Sequence, residues 1–171
     1  MLYRMLPCAL LALLAATLFV RAATIKMPAN SDIAKRDLPK WDWTKDKVYG
    51  TNLGGLFLLE RWMYEDWMVE KGGDDAWDEY TMSKNVGDGM YDILNEHFDS
   101  WFTEDDMDTL ADAGVNMLRI PIGYWPFVSA DEAGEPYKTA SHLDKLSQIM
   151  KWSQDRHMYV LRPLHPAQIH I

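Results

Sequence analysis

The sequence predicts an α/β fold with a parallel sheet, and two observations carry this prediction. Short apolar runs near residues 48–52, 114–125 and 158–161 have the length and composition of buried strands. The segments between these runs contain apolar residues at helical spacing. The resulting order of strand, helices, strand, helix, strand is typical of the βαβαβ units of a parallel sheet.

Residues 1–23 have the pattern of a secretory signal peptide. Arg4 supplies a positive charge, residues 6–20 form an apolar core, and residues 20–22 offer a cleavage site. A membrane anchor is the alternative, although a membrane span needs about 20 apolar residues and this run is shorter. We therefore expect a secreted protein without a membrane partner. Residues 24–40 are polar and aperiodic and contain the dibasic pair Lys35 and Arg36, which predicts a propeptide or linker.

The composition narrows the classes of partner and cofactor. The chain of 171 residues has a formal net charge of -9, which argues against a nucleic-acid partner because such partners require a basic face. Cys8 is the single cysteine and lies in the predicted signal peptide, so we expect the mature chain to have no disulfide and no thiolate metal site. We expect no cofactor and no metal. An acidic chain is compatible with a neutral polymer such as a polysaccharide.

The first strand is followed by residues that suit a sugar ligand. Gly54 and Gly55 predict a tight turn or bulge, and Glu60 and Trp62 come shortly after it. A carboxylate accepts hydrogen bonds from sugar hydroxyls, and an indole stacks on the face of a sugar ring. The alternative is that Glu60 caps or opens a helix predicted over residues 62–69. The pattern alone does not distinguish between them.

The segment 71–88 is rich in glycine and aspartate and is predicted to be a loop. Its aspartates lack the ligand spacing of an EF-hand, so a solvated acidic loop is favoured over a calcium site. A helix is predicted over residues 90–98, with His97 on its face. The next helix has Thr103 as N-cap, Asp106 as capping-box partner and Gly114 as its C-terminal stop.

The second strand contains Arg119 within an otherwise apolar run. Because Pro121 cannot donate to a sheet ladder, regular pairing should stop there, and Arg119 should lie near the carboxyl end of the strand. Ligands bind at this end in parallel α/β folds. The alternative is an arginine paired with a structural carboxylate. After a loop over 127–139, Ser141 is predicted to cap a helix, with Asp144 at its third position.

Two motifs together resemble glycoside hydrolase family 5. These are Asn-Leu-Gly-Gly at 52–55 with Leu-Glu at 59–60, and Asn-Met-Leu-Arg-Ile-Pro-Ile-Gly-Tyr-Trp at 116–125. Within that family the chain most resembles the fungal exo-β-1,3-glucanases, which are secreted and often carry a dibasic propeptide site. The resemblance implies a (β/α)₈ TIM barrel, which usually needs about 250 residues. Residues 41–171 would then be a truncated barrel containing strands one to three.

The resemblance also implies a reaction and a set of binding residues. The family hydrolyses glycosides with retention, using one glutamate after strand four and another at strand seven. Neither strand is present, so no catalytic residue is assigned, and the chain is expected to be an inactive N-terminal fragment. Four residues match substrate-binding positions of the family: Glu60, Trp62, Arg119 and His165. Arg119 matches an arginine that helps to keep the nucleophile ionised.

These inferences predict a hydrolase that acts on β-glucan, located extracellularly or in the cell wall. We expect a monomer with a polysaccharide substrate. The alternative is a short secreted protein that binds β-glucan without cleaving it, through Glu60, Trp62 and Arg119. The sequence departs from the family near its end, where Arg162 and Pro163 replace the usual apolar and acidic pair. A pair of histidines there, His165 and His170, makes a poor case for a metal site.

Overall fold

The computed structural model describes residues 40–128 and 134–162, together with the backbone of residues 164 and 165. The predicted signal peptide and residues 24–39 of the predicted propeptide or linker lie outside the described residues. The strands are β1 (Gly50–Asn52), β2 (Met117–Arg119), β3 (Ile122–Gly123), β4 (Tyr159–Leu161) and β5 (Leu164–His165). The helices are α1 (Glu65–Gly72), α2 (Glu79–Val86), α3 (Met90–Trp101), α4 (Glu104–Asp112) and α5 (His142–Asp155).

The predicted parallel sheet is present, in the order β1-β2-β4. β1 and β4 both pair with β2 in parallel, so that Asn52 lies opposite Arg119 and Arg119 opposite Leu161. The pairing stops after Arg119, where Pro121 lacks the N–H group that a sheet ladder requires. It resumes in a second parallel pair, β3 with β5, and Phe57 makes a single parallel bridge to Ile122. Each of the three predicted strands is therefore followed, after a break, by further parallel pairing: β1 by the bridge at Phe57, β2 by β3, and β4 by β5.

Two predicted helices are confirmed, the second of them together with both of its termini. α3 covers the predicted segment and continues to Trp101. α4 begins after Thr103, whose hydroxyl accepts from the backbone of Asp106 while the Asp106 carboxylate accepts from the backbone of Thr103. Gly114 follows the helix with φ at 81°, a conformation that glycine adopts without steric cost. The helix ends and the capping box therefore follow from local sequence chemistry alone.

Three local predictions are wrong. Residues 71–88 are not all loop, because Asp78 and Thr81 form a capping box that starts α2. The helix predicted from residue 62 begins at Glu65, because the chain first forms a short 3₁₀ turn over Arg61–Met63. Ser141 does precede α5, but its side chain does not cap the helix. Its hydroxyl instead donates to the Asn95 side-chain oxygen at 2.6 Å.

The helices cover one side of the sheet with a continuous apolar core. Leu118 of β2 is fully buried, and it belongs to one cluster with Leu94 of α3, Met107 of α4 and Ile149 of α5. The outer strands of the described sheet are more exposed, and Leu161 of β4 keeps 57% of its surface accessible. No helix in the described ranges is long and apolar enough to cross a membrane. This apolar core holds β1 and β2 in place, and a cleft lies at their carboxyl ends.

Candidate functional site

A cleft of about 490 Å³ lies at the carboxyl ends of β1 and β2. Asn52 and Arg119 are the last residues of these two strands and are opposite each other in the sheet. Three of the four residues predicted to bind substrate line the cleft together, and these are Glu60, Trp62 and Arg119. The remaining lining comprises Asn52, Leu58, Leu59, Arg61, Trp77, Asp78, Glu79, Tyr80, Pro121, Trp125 and Tyr137.

Arg119 is oriented by the neighbouring strand. Its Nη1 donates to the Asn52 side-chain oxygen at 2.7 Å. This hydrogen bond is possible because parallel pairing places the two residues side by side at the strand ends. The bond holds the guanidinium at the cleft, where it has the planar set of donors that suits hydroxyl or carboxylate oxygens.

Glu60 and Trp62 form a second polar contact in the cleft. The indole Nε1 of Trp62 donates to Glu60 Oε2 at 2.9 Å. Glu60 stands at the N-cap position of the 3₁₀ turn that follows, but its side chain makes no capping hydrogen bond there. Trp62 keeps 79% of its surface accessible, although a tryptophan is usually well buried. The carboxylate is thus tied to an exposed aromatic ring.

Three side chains form hydrogen bonds with the glycine turn before Glu60. The Gly55 carbonyl accepts from the Tyr64 hydroxyl at 3.0 Å and lies 2.8 Å from Nε2 of the buried His97. The Gly54 carbonyl accepts from the Trp101 indole at 3.1 Å. Gly55 has φ at 72°, and a Cβ there would lie about 3 Å from three side chains, so only glycine fits. His97 is therefore a helix residue, as predicted, and its ring also supports the turn.

The Tyr64 hydroxyl also accepts from the Glu60 backbone N–H at 2.9 Å. Burial raises the pKa of the Tyr64 hydroxyl above its usual value. It therefore remains protonated and can keep donating to Gly55 while it accepts from Glu60. The Tyr64 hydroxyl thus connects the glycine turn to Glu60, which lines the cleft.

Sequence reasoning missed the opposite rim of the cleft, because it treated residues 71–88 as loop. Asp78 forms an antiparallel bridge with Glu60 and brings Trp77, Glu79 and Tyr80 to the cleft. The signal that was available is the Asp-x-x-Thr spacing of 78 and 81, which is a recognisable helix start. The Asp78 side chain accepts from the Thr81 backbone N–H, which is the role of an N-cap residue.

Glu79 belongs to the cleft lining but is buried in a site that disfavours its charged form. The residue is 3% exposed, and burial raises the pKa of its carboxyl to about 8, although the neighbouring Trp125 and Leu59 N–H groups lower it. Burial lowers the pKa of the adjacent His142 to about 3. Their closest atoms, Oε1 and Nε2, are 3.9 Å apart, too far for a hydrogen bond. Both groups are therefore neutral near pH 6.

Trp125 and Tyr137 form the aromatic floor. Their rings stack with centroids 4.0 Å apart and an interplanar angle of 2°. Gly123 allows this arrangement, since a Cβ there would lie 2.2 Å from carbons of the Trp125 ring. The cleft thus combines flat aromatic surfaces with carboxylate and guanidinium groups, the features that a polyhydroxylated ring with apolar faces requires.

His165 remains outside this geometry. Its backbone belongs to β5, which pairs with β3 so that His165 lies opposite Gly123. The position of its side chain lies outside what the structure describes. Among the described residues, no group of three or more histidine, cysteine, aspartate or glutamate side chains is placed to hold a metal ion.

Several known proteins with similar sequences are named glucan 1,3-beta-glucosidases. The chain is 38% identical over 123 residues to the probable glucan 1,3-beta-glucosidase A of Emericella nidulans, covering 71% of this chain and 29% of that protein. It is 35% identical over 168 residues to the probable glucan 1,3-beta-glucosidase A of Aspergillus clavatus, covering 98% of this chain and 38% of that protein. Its sequence is similar to those of glucan 1,3-beta-glucosidases.

A third relative, glucan 1,3-beta-glucosidase 1 of Schizosaccharomyces pombe, is 36% identical over 150 residues, or 86% of this chain and 36% of that protein. The chain thus spans about a third of the length of these relatives. No family model matches it.

Two solved structures resemble the described fold. The crystal structure of AoRut matches with a TM-score of 0.67 and 26% identity, over 73% of this chain and 34% of that one. The crystal structure of rutinosidase from Aspergillus niger matches with a TM-score of 0.66 and 23% identity, over 71% of this chain and 34% of that one. The mixed arrangement of helices and parallel strands is therefore one that a glycosidase structure shares.

Proposed function

We propose that this chain is part of a retaining glycoside hydrolase of family 5 that acts on β-1,3-glucan, and that the described cleft binds a glucosyl unit of the substrate. The observation that carries the proposal is the convergence of Glu60, Trp62 and Arg119 at the carboxyl ends of β1 and β2. Binding sites of parallel α/β barrels lie at this end of the strands. The relatives named glucan 1,3-beta-glucosidase supply the substrate class.

Each of the three residues has a role that its geometry supports. The Glu60 carboxylate accepts hydroxyl hydrogen bonds, and Trp62, which already donates to it, offers an exposed ring face. Arg119 is held by Asn52 and donates toward the cleft. A catalytic carboxylate placed near this guanidinium would have a lowered pKa and would stay ionised. His165 completes the proposed set through its position in β5, which continues the third strand predicted from the sequence.

We further propose that residues 41–171 contain the first three strands of a (β/α)₈ barrel that is secreted to the cell exterior or cell wall. A complete barrel needs about 250 residues, and the chain covers only about a third of its named relatives. The two catalytic glutamates would belong to later strands, so these residues alone would bind glucan without hydrolysing it. Release of glucose from laminarin by the purified 171-residue chain would refute this part.

The intact mass of the native protein, identified through a peptide that contains Arg119, separates the two forms of the proposal. We expect a mass well above the 19.8 kDa of this chain, as for a complete hydrolase. A mass a few kDa below that value would reject the barrel fragment. It would favour the alternative, a short secreted protein that binds β-glucan without cleaving it.

Binding tests the cleft directly. We expect the chain to bind oligosaccharides of laminarin in isothermal titration calorimetry, and Arg119→Ala to weaken binding by about tenfold to a hundredfold, because hydrogen bonds to a charged group are lost. The matched control is Arg156→Ala, since Arg156 pairs with Glu104 and Asp108 away from the cleft. Equal affinity of Arg119→Ala and the unsubstituted chain would contradict the proposal.

A further inference from the structure

We infer that Trp77 is a second sugar-stacking surface at the mouth of the cleft, which binds the glucosyl unit next to the one held by Glu60, Trp62 and Arg119. This inference rests on the proposed function and adds to it a requirement for a substrate of more than one sugar unit. Neither the sequence patterns nor the family motifs single out Trp77.

The exposure of Trp77 is unusual for its position. The residue lines the cleft, yet 63% of its surface remains accessible. Trp62, which lines the same cleft, is also largely exposed. The two indoles come from different segments, which are joined by the bridge between Glu60 and Asp78. Two exposed indoles on a cleft that also contains polar groups mark an interaction surface rather than part of the core.

The ring of Trp77 is held from one side. The guanidinium of Arg61 lies 4.0 Å from the ring centroid, in cation–π contact. Arg61 is itself fixed, because its Nη2 donates to Glu65 Oε1 at 2.9 Å and its Nη1 to the Asp74 carbonyl at 2.8 Å. The backbone is also fixed, since Trp77 N donates to Thr81 Oγ1 at 2.9 Å. One face of the indole is thus covered by an anchored cation.

An indole that is held in place but left exposed is well suited to binding. Ordering a mobile side chain on association costs free energy. Trp77 is already ordered in the unbound protein by its contacts with Arg61 and Thr81. The exposed ring makes little contribution to the core, because the apolar cluster is built from other residues. The fold therefore stabilises an aromatic surface that it does not itself bury.

The charges around Trp77 are compatible with a neutral ligand. A cationic ligand is disfavoured, because the ring quadrupole already interacts with the Arg61 guanidinium. The cleft around Trp77 is lined by charges of both signs, Glu60 and Asp78 with Arg61 and Arg119, so it favours no single ionic charge in the ligand. A pyranose ring is neutral and offers apolar C–H faces to the indole. Its hydroxyls can donate hydrogen bonds to the Glu60 and Asp78 carboxylates. A glucosyl unit fits each requirement.

The test compares oligosaccharides of different length. Calorimetry would measure the binding of glucose and of laminaripentaose to the chain and to Trp77→Ala. We expect Trp77→Ala to weaken laminaripentaose binding by about tenfold and to leave glucose binding unchanged, because only the longer ligand reaches the second surface. Trp77→Tyr keeps an aromatic ring and should stay within about threefold of the unsubstituted chain.

The matched control is Trp43→Ala, because Trp43 is 76% exposed but does not line the cleft. Its affinity for both ligands should be unchanged, and circular dichroism should give the same spectrum for every variant. Unchanged laminaripentaose binding by Trp77→Ala, with Arg119→Ala still weakened, would overturn the inference and leave the proposed function standing. Failure of the unsubstituted chain to bind either ligand would overturn both.

Discussion

Replacement of Glu79 by glutamine should change how the stability of the protein depends on pH. Glu79 is almost completely buried, and its Oε1 has no hydrogen-bond partner among the described residues. Burial raises the pKa of the carboxyl from 4.5 to about 8, because the charged form would lose its hydration. Glutamine has nearly the same shape and no ionisable proton, so the variant removes the titration and keeps the packing.

The expected magnitude follows from the number of protons bound in each state. Between pH 5.5 and 7.5 the Glu79 carboxyl is protonated in the folded protein and ionised in the unfolded chain. At this residue the unfolded state therefore binds fewer protons, so the contribution of Glu79 to the free energy of unfolding falls as pH rises, by about 1.4 kcal/mol per pH unit. Across this range the unsubstituted protein should lose roughly 3 kcal/mol relative to Glu79→Gln.

His142 contributes in the opposite direction. Burial lowers its pKa from 6.5 to about 3, so below pH 6.5 the unfolded chain binds a proton that the folded protein does not. This stabilising contribution is present above pH 6.5 and is lost as pH falls towards 3. Between pH 4.5 and 6.5 the two residues cancel, and they produce a plateau of stability. Above the plateau Glu79 lowers stability, and below it His142 does.

Urea denaturation followed by tryptophan fluorescence, at pH 5.5, 6.5 and 7.5, would measure these effects. The difference in unfolding free energy between Glu79→Gln and the unsubstituted protein should grow steadily in favour of the variant. Glu65→Gln serves as the matched control, because Glu65 is exposed and pairs only with Arg61 among the contacts described. Parallel pH profiles for Glu79→Gln and the unsubstituted protein would refute the assignment of a neutral buried carboxyl.

Three further substitutions test the local structure. Thr103→Ala should lower the free energy of unfolding by about 1 kcal/mol through loss of the N-cap. The control Thr109→Ala should have little effect in the same chemical denaturation, because Thr109 bonds only within its own helix. Met107→Ala should cost roughly 2 to 5 kcal/mol by leaving a cavity in the core, and a loss below 1 kcal/mol would contradict full burial. Gly123→Ala should cost about 1 to 3 kcal/mol and displace Trp125, detectable as a changed near-ultraviolet circular dichroism spectrum.

The elements that could be predicted from sequence are those with strong local signals. The capping box of Thr103 and Asp106, with Gly114 at the other end, defined α4 because each residue acts within one turn of its neighbours. Pro121 correctly marked where the pairing of β2 ends, since a missing N–H is a local property. The convergence of Glu60 and Arg119 followed from the rule for strand ends, but their roles in binding stay predictions.

The elements that could not be predicted depend on contacts distant in sequence. Ser141 has the residue type of an N-cap, yet its hydroxyl and backbone N–H both bond to Asn95, 46 positions earlier. Nothing near Ser141 identifies that partner. The stacking of Trp125 on Tyr137 likewise depends on the course of the intervening chain. Rules based on local spacing place a residue on an element, but they do not reveal which distant group it meets.

The missed rim of the cleft shows how one backbone conformation links helix formation to the site. Asp78 is extended, with φ at -152° and ψ at 179°, as an N-cap residue normally is. The same extended geometry allows it to pair with Glu60 in an antiparallel bridge. Formation of α2 therefore brings both Trp77 and Glu79 into the cleft lining. Because α2 has only eight residues and little stability of its own, the packing that holds it also determines the shape of the cleft.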